Sequence, residues 1–114
     1  MPAPTAPRLY ELLRVLSAAT DRDTLHWKTT ADEESFRAEF GLGMVRISKV
    51  SDAPRYCLLL LDRDGTVLEA YEPSLEAELG DTDALYKRAR RQALDVDTKL
   101  KGYFDHLKKL AGES

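Results

Sequence analysis

The side chains best suited to chemistry fall into two clusters and a few isolated positions. Asp62 and Asp64 stand one residue apart, after the apolar run Leu58 to Leu61 and before Gly65. A carboxylate nucleophile there would need a divalent cation to hold a phosphate, and further acids to hold that cation. Lys87, Arg88, Arg90 and Arg91 crowd into one short stretch. Such a basic run could meet phosphate or an acidic partner. Cys57, His26 and His106 stand apart from these clusters and from one another. A cysteine nucleophile needs a base and an electropositive setting, and Tyr56 and Leu58 offer neither. The two histidines have no neighbouring Cys or His, so zinc-ligand spacing is absent. No metal or cofactor is expected.

The run Leu58-Leu59-Leu60-Leu61-Asp62-Arg63-Asp64-Gly65-Thr66-Val67 resembles the first motif of the haloacid dehalogenase phosphohydrolases, a strand ending in Asp-x-Asp-Gly-Thr. The resemblance implies Asp62 as nucleophile, Asp64 as general acid/base and Mg²⁺ as cofactor. It covers this run alone. Only 49 residues follow Gly65, and Thr66 to Leu79 is all that separates the run from the acidic stretch at Gly80 to Asp83. A parallel crossover takes a dozen or more residues, so the family's repeated crossovers do not fit. The same letters spell a hairpin: Asp-Gly accepts the backbone of a tight turn, and apolar runs flank it. The hairpin is the expectation, with a metal-dependent phosphohydrolase using Asp62 and Asp64 as the remote alternative.

The elements that must position these residues follow from periodicity. Leu9, Leu12, Leu13 and Leu16 form one stripe, predicting a helix from Pro7 to Ala19. Leu25 to Thr29 reads as a short strand. Ser35 to Phe40 alternates, with Phe36, Ala38 and Phe40 on one face, and Met44 to Val50 continues the alternation through Val45 and Ile47. Gly41 to Gly43 permits the reversal between them. Ser51 to Arg55 is a loop containing Pro54. Tyr56 to Leu61 and Thr66 to Tyr71 complete a meander of four to five strands. Glu72 to Gly80 reads as a linker, and Asp83 to about Leu94 as a helix with Leu85, Tyr86, Ala89 and Ala93 on its apolar side. A further stretch, Val96 to Ala111, carries Val96, Leu100, Tyr103, Phe104, Leu107 and Leu110. One kinked helix or two would satisfy residues 81–111. The predicted class is α+β: an N-terminal helix, an antiparallel meander, and one or two C-terminal helices packed on the sheet. Residues 1–8, with three prolines, read as a flexible arm, and residues 9–111 as a single domain. The tryptophan in the first strand, the Asp-Gly hairpin and the helix from Leu85 to Leu94 are together similar to small uncharacterised bacterial domains, a resemblance that implies no activity.

Composition bounds the function. A 43% hydrophobic content supplies one core, and 32% charged residues supply a solvated surface. No apolar run reaches membrane-helix length, and the first residues lack the apolar centre of a secretory signal. One cysteine fits a reducing setting, so a cytoplasmic location is expected. A net charge of −3 gives no global pull toward nucleic acid.

Both faces of the Asp-Gly hairpin receive leucines. A two-residue loop puts Leu59, Leu61, Leu68 and Ala70 on one face, and Leu58, Leu60 and Tyr71 with Glu69 on the other; a three-residue loop changes the partners. The domain's helices cover one face. The other needs a second protomer, a partner or another helix. The expectation is a non-enzymatic interaction or regulatory module, possibly a homodimer. Leu58, Leu60, Val67 and Tyr71 would form its partner-binding surface, joined by Tyr103 and Phe104. The alternative is nucleic-acid or anionic-ligand binding through Lys87, Arg88, Arg90 and Arg91.

Overall fold

The computed structural model describes residues 8–50 and 55–113. Most of the expected arm and the loop around Pro54 lie outside these residues. The order is α1 (Leu9–Asp21), β1 (Trp27–Thr29), β2 (Ser35–Phe40), β3 (Gly43–Val50), β4 (Arg55–Asp62), β5 (Val67–Tyr71), α2 (Glu76–Ala93) and α3 (Val96–Leu110). The strands form one antiparallel sheet in chain order, β1-β2-β3-β4-β5. This is an α+β meander with one N-terminal and two C-terminal helices.

Cross-strand partners share a face. One row runs Trp27, Ala38, Val45, Leu60 and Glu69; the next runs Thr29, Phe36, Ile47, Leu58 and Tyr71. These rows lie under the helices. Leu9, Leu13 and Leu16 of α1 and Leu85, Tyr86 and Ala89 of α2 complete the core against them. The stripes therefore pack as their spacing predicts. Phe40, in phase with Phe36 and Ala38, sits at the strand end and is exposed.

Polar ties fix the helices to the sheet. Gln92 Oε1 accepts the Trp27 backbone N–H at 2.6 Å, and Trp27 Nε1 donates to Thr20 Oγ1 at 3.0 Å. Tyr86 OH donates to Glu34 Oε2 at 2.9 Å, and Tyr56 OH donates to Asp83. The Tyr86 ring stands 5.5 Å from that of Phe36 and 5.4 Å from that of Tyr56. Burial, and then the neighbouring Glu34, push the Tyr86 hydroxyl up to about 12.

The boundaries of α2 differ from the expectation. It begins at Glu76, inside the stretch read as a linker. Glu78 accepts the Leu75 backbone N–H at 3.4 Å, and Glu76 and Glu78 sit in the first turn, where acids favour the positive helix end. Gly80 is tolerated within the helix. Two separate helices follow the sheet, because Asp95 adopts a left-handed conformation (φ 51°, ψ 46°) between them. α2 covers the sheet, whereas no residue of α3 is buried.

Candidate interaction surface

The aspartate pair turns out to build a turn. Asp62 Oδ1 accepts the backbone N–H groups of Asp64 and Thr66, both at 2.9 Å. Asp62 and Thr66 also close the hairpin through their backbones at 2.9 Å, leaving Arg63, Asp64 and Gly65 as a three-residue loop. Gly65 takes φ 87°, the left-handed position such loops require. An odd loop shifts the pairing by one residue, and a bulge beside Leu60 and Leu61 undoes the shift. Leu59 therefore faces Ala70, and Leu58 faces Tyr71. The strand carrying Asp62 has antiparallel neighbours on both sides, unlike the parallel sheet that the phosphohydrolase resemblance implies.

The basic run is largely spent on neighbouring acids. Lys87 pairs with Asp83 at 2.9 Å, Arg88 with Asp21 at 2.7 Å, and Arg91 with Asp97. Arg90 borders a hollow that also contains Asp32, Glu33 and Glu34. The four cations do not form one uncompensated patch. Asp83 is held below the usual carboxylate range by its hydrogen bonds from Tyr56 and then Lys87. His26 is exposed beside Asp23 at 3.4 Å, and His106 is exposed on α3. Cys57 is half-buried, and burial pushes its thiol up, away from the thiolate a nucleophile needs.

The sheet residues proposed for partner binding divide. Leu58 is completely buried beneath the helices and cannot meet a partner, which corrects that assignment. Leu60 and Tyr71 pack at the margin of the same core. Val67 is exposed on the outer strand. The reason is parity: even-numbered leucines of β4 face the helices. The uncovered face carries Cys57, Leu59 and Leu61 with Met44, Arg46 and Arg37 in register. Thr29, Thr30, Arg37, Met44, Arg46 and Leu61 line a hollow of about 330 Å³ there. Arg37 is bound to Glu39, while Arg46 Nε is buried without a hydrogen-bond partner among the described residues.

Tyr103 and Phe104 are exposed, and they are part of something larger. Leu100, Tyr103, Phe104, Leu107 and Leu110 lie between 51% and 72% exposed on one helix. At 100° per residue, these and Val96 fall within an arc of about 120°. Lys101, Asp105 and Lys109 occupy the other side, and Lys108 borders the stripe with its Nζ 4.8 Å from the Phe104 ring centroid. α2 is the one substantial neighbour of α3 among the described residues. The stripe itself is legible in the sequence; that none of the described residues covers it is not. No described helix is long and apolar enough to cross a membrane. Comparison with protein-family models, with curated proteins and with solved structures returned no match.

Proposed function

We infer that this chain is a non-enzymatic protein-interaction module acting in the cytoplasm, and that α3 is its contact element. One observation carries the reading: a 15-residue helix leaves its apolar stripe exposed from Leu100 to Leu110. A helix of that length is marginal in water by itself and draws its stability from packing that stripe. Exposed apolar patches of this extent on a folded protein mark contact sites. The paired state of Lys87, Arg88 and Arg91 leaves anion binding with less support.

A photo-crosslinking amino acid placed at Leu107, on the stripe, and separately at Lys101, on the polar side, tests this in the cell. A discrete protein adduct from position 107 and none from position 101 is the expected result. Equal labelling from both positions, or no protein adduct from 107, would defeat the reading.

A further inference from the structure

We propose that the partner of α3 is α3 of a second copy, the two helices lying antiparallel across a twofold axis near Asp105. This rests on the reading of α3 as the contact element and names its occupant.

The spacing of the stripe favours a helix of its own kind. Val96, Leu100, Tyr103, Leu107 and Leu110 alternate at steps of four and three, the a/d seam of two helices packed at a shallow angle. An antiparallel pair centred on Asp105 sets Leu100 against the partner's Leu110 and Tyr103 against the partner's Leu107. Symmetry repeats both layers, so every apolar position from 100 to 110 on the seam finds an apolar counterpart. Phe104, which widens the stripe, falls beside its own symmetry mate at the centre. This is the self-complementarity that a twofold interface demands.

Direction follows from what each end carries. The antiparallel arrangement opposes the two helix dipoles and sends the two folded bodies to opposite ends of the pair. A parallel pair would align the dipoles and force both bodies together at one end. The area is adequate. The five exposed side chains offer on the order of 600 Å² per copy, and a pair approaches the roughly 1,200 Å² at the lower edge of specific interfaces. An interface at that lower edge makes the dimer a reversible one.

Sedimentation equilibrium of the full chain, combined with disulfide trapping in a Cys57→Ser background, tests the proposal. Mass should rise from monomer to dimer across the micromolar range, and Leu107→Asp should remain monomeric with an unchanged circular dichroism spectrum. A mixture of Tyr103→Cys and Leu107→Cys should oxidise to the mixed disulfide, while each variant alone should not. Efficient self-linking of each single variant would indicate parallel helices and overturn the proposal. So would monomer at every concentration. If adducts at Leu107 with a different protein accompany that monomer, the interaction reading survives and self-pairing fails; if no protein adduct forms, both fail. Monomer that pellets with phosphatidylserine vesicles would also overturn the proposal, by assigning the stripe to a lipid surface.

Discussion

α2 and α3 are consecutive amphipathic helices with opposite fates. In α2, Leu85 and Ala89 are completely buried, and Tyr86 packs at a tilt between Phe36 and Tyr56. α3 has the better-segregated apolar stripe, yet none of its residues is fully buried. A cleaner stripe therefore does not mean deeper burial. Placement decides: α2 returns across the sheet because Gln92, Tyr86 and Asp83 each hold a partner on or beside a strand, and α3 is aimed away by the turn at Asp95.

The sharpest way to break this contrast is a matched pair of truncations. Leu85→Ala should cost about 2–5 kcal/mol of folding stability, because it opens a cavity in a closed core. Leu107→Ala should change the stability of dilute monomer by less than about 0.5 kcal/mol. Urea unfolding of both variants at low protein concentration checks this; equal losses would mean that α3 is part of the core.

An intermediate effect belongs to the tie between α2 and the sheet edge. Gln92→Ala removes the acceptor of the Trp27 N–H, a contact spanning 65 residues of sequence. The expected loss is about 1 kcal/mol. It should also accelerate amide exchange at Trp27, while amides of α3 remain unaffected.

The smallest effect is electrostatic. Asp83 titrates below its ordinary value in the fold, so its contribution is present above pH 3.8 and is lost as pH falls through the depressed value. Tyr56 is shifted the other way, by burial and then by Asp83, so its contribution is present below pH 10.0 and is lost as pH rises above that. Asp83 is partly exposed, and its share is below about 1 kcal/mol. Urea midpoints measured against pH should fall at both extremes, less steeply in Asp83→Asn.

Much of this contrast was legible in the sequence, and the boundary of legibility has physical causes. The stripes of α1 and α2 and the alternation through Phe36, Ala38, Val45 and Ile47 are local patterns, and each buries the face it predicts. The Asp-Gly signal located the hairpin. It could not reveal that a three-residue loop is followed by a compensating bulge, nor which of the two leucine-bearing faces of β4 the helices cover. Alternation alone therefore places Leu58 as readily on a partner surface as in the core, where it lies. The acids that pair Lys87 and Arg91 lie close by in sequence, at Asp83 and Asp97, whereas the partner of Arg88, Asp21, comes from α1 and is not legible locally. Gly43 shows the same limit in another form: a Cβ there would strike the Leu61 carbonyl across the sheet, a constraint absent from the local sequence. For α3, the stripe was visible, and the missing element was a negative fact about three-dimensional packing.

The left-handed residue between the two C-terminal helices has a mechanical consequence. α3 is held at its base by one backbone joint and by the exposed pair of Arg91 with Asp97. It acts as a lever of 15 residues, about 22 Å long, so a rotation of about 10° at Asp95 swings its tip by about 4 Å. Small adjustments of a single pair of dihedral angles thus re-aim the exposed stripe while the sheet and its core stay as they are.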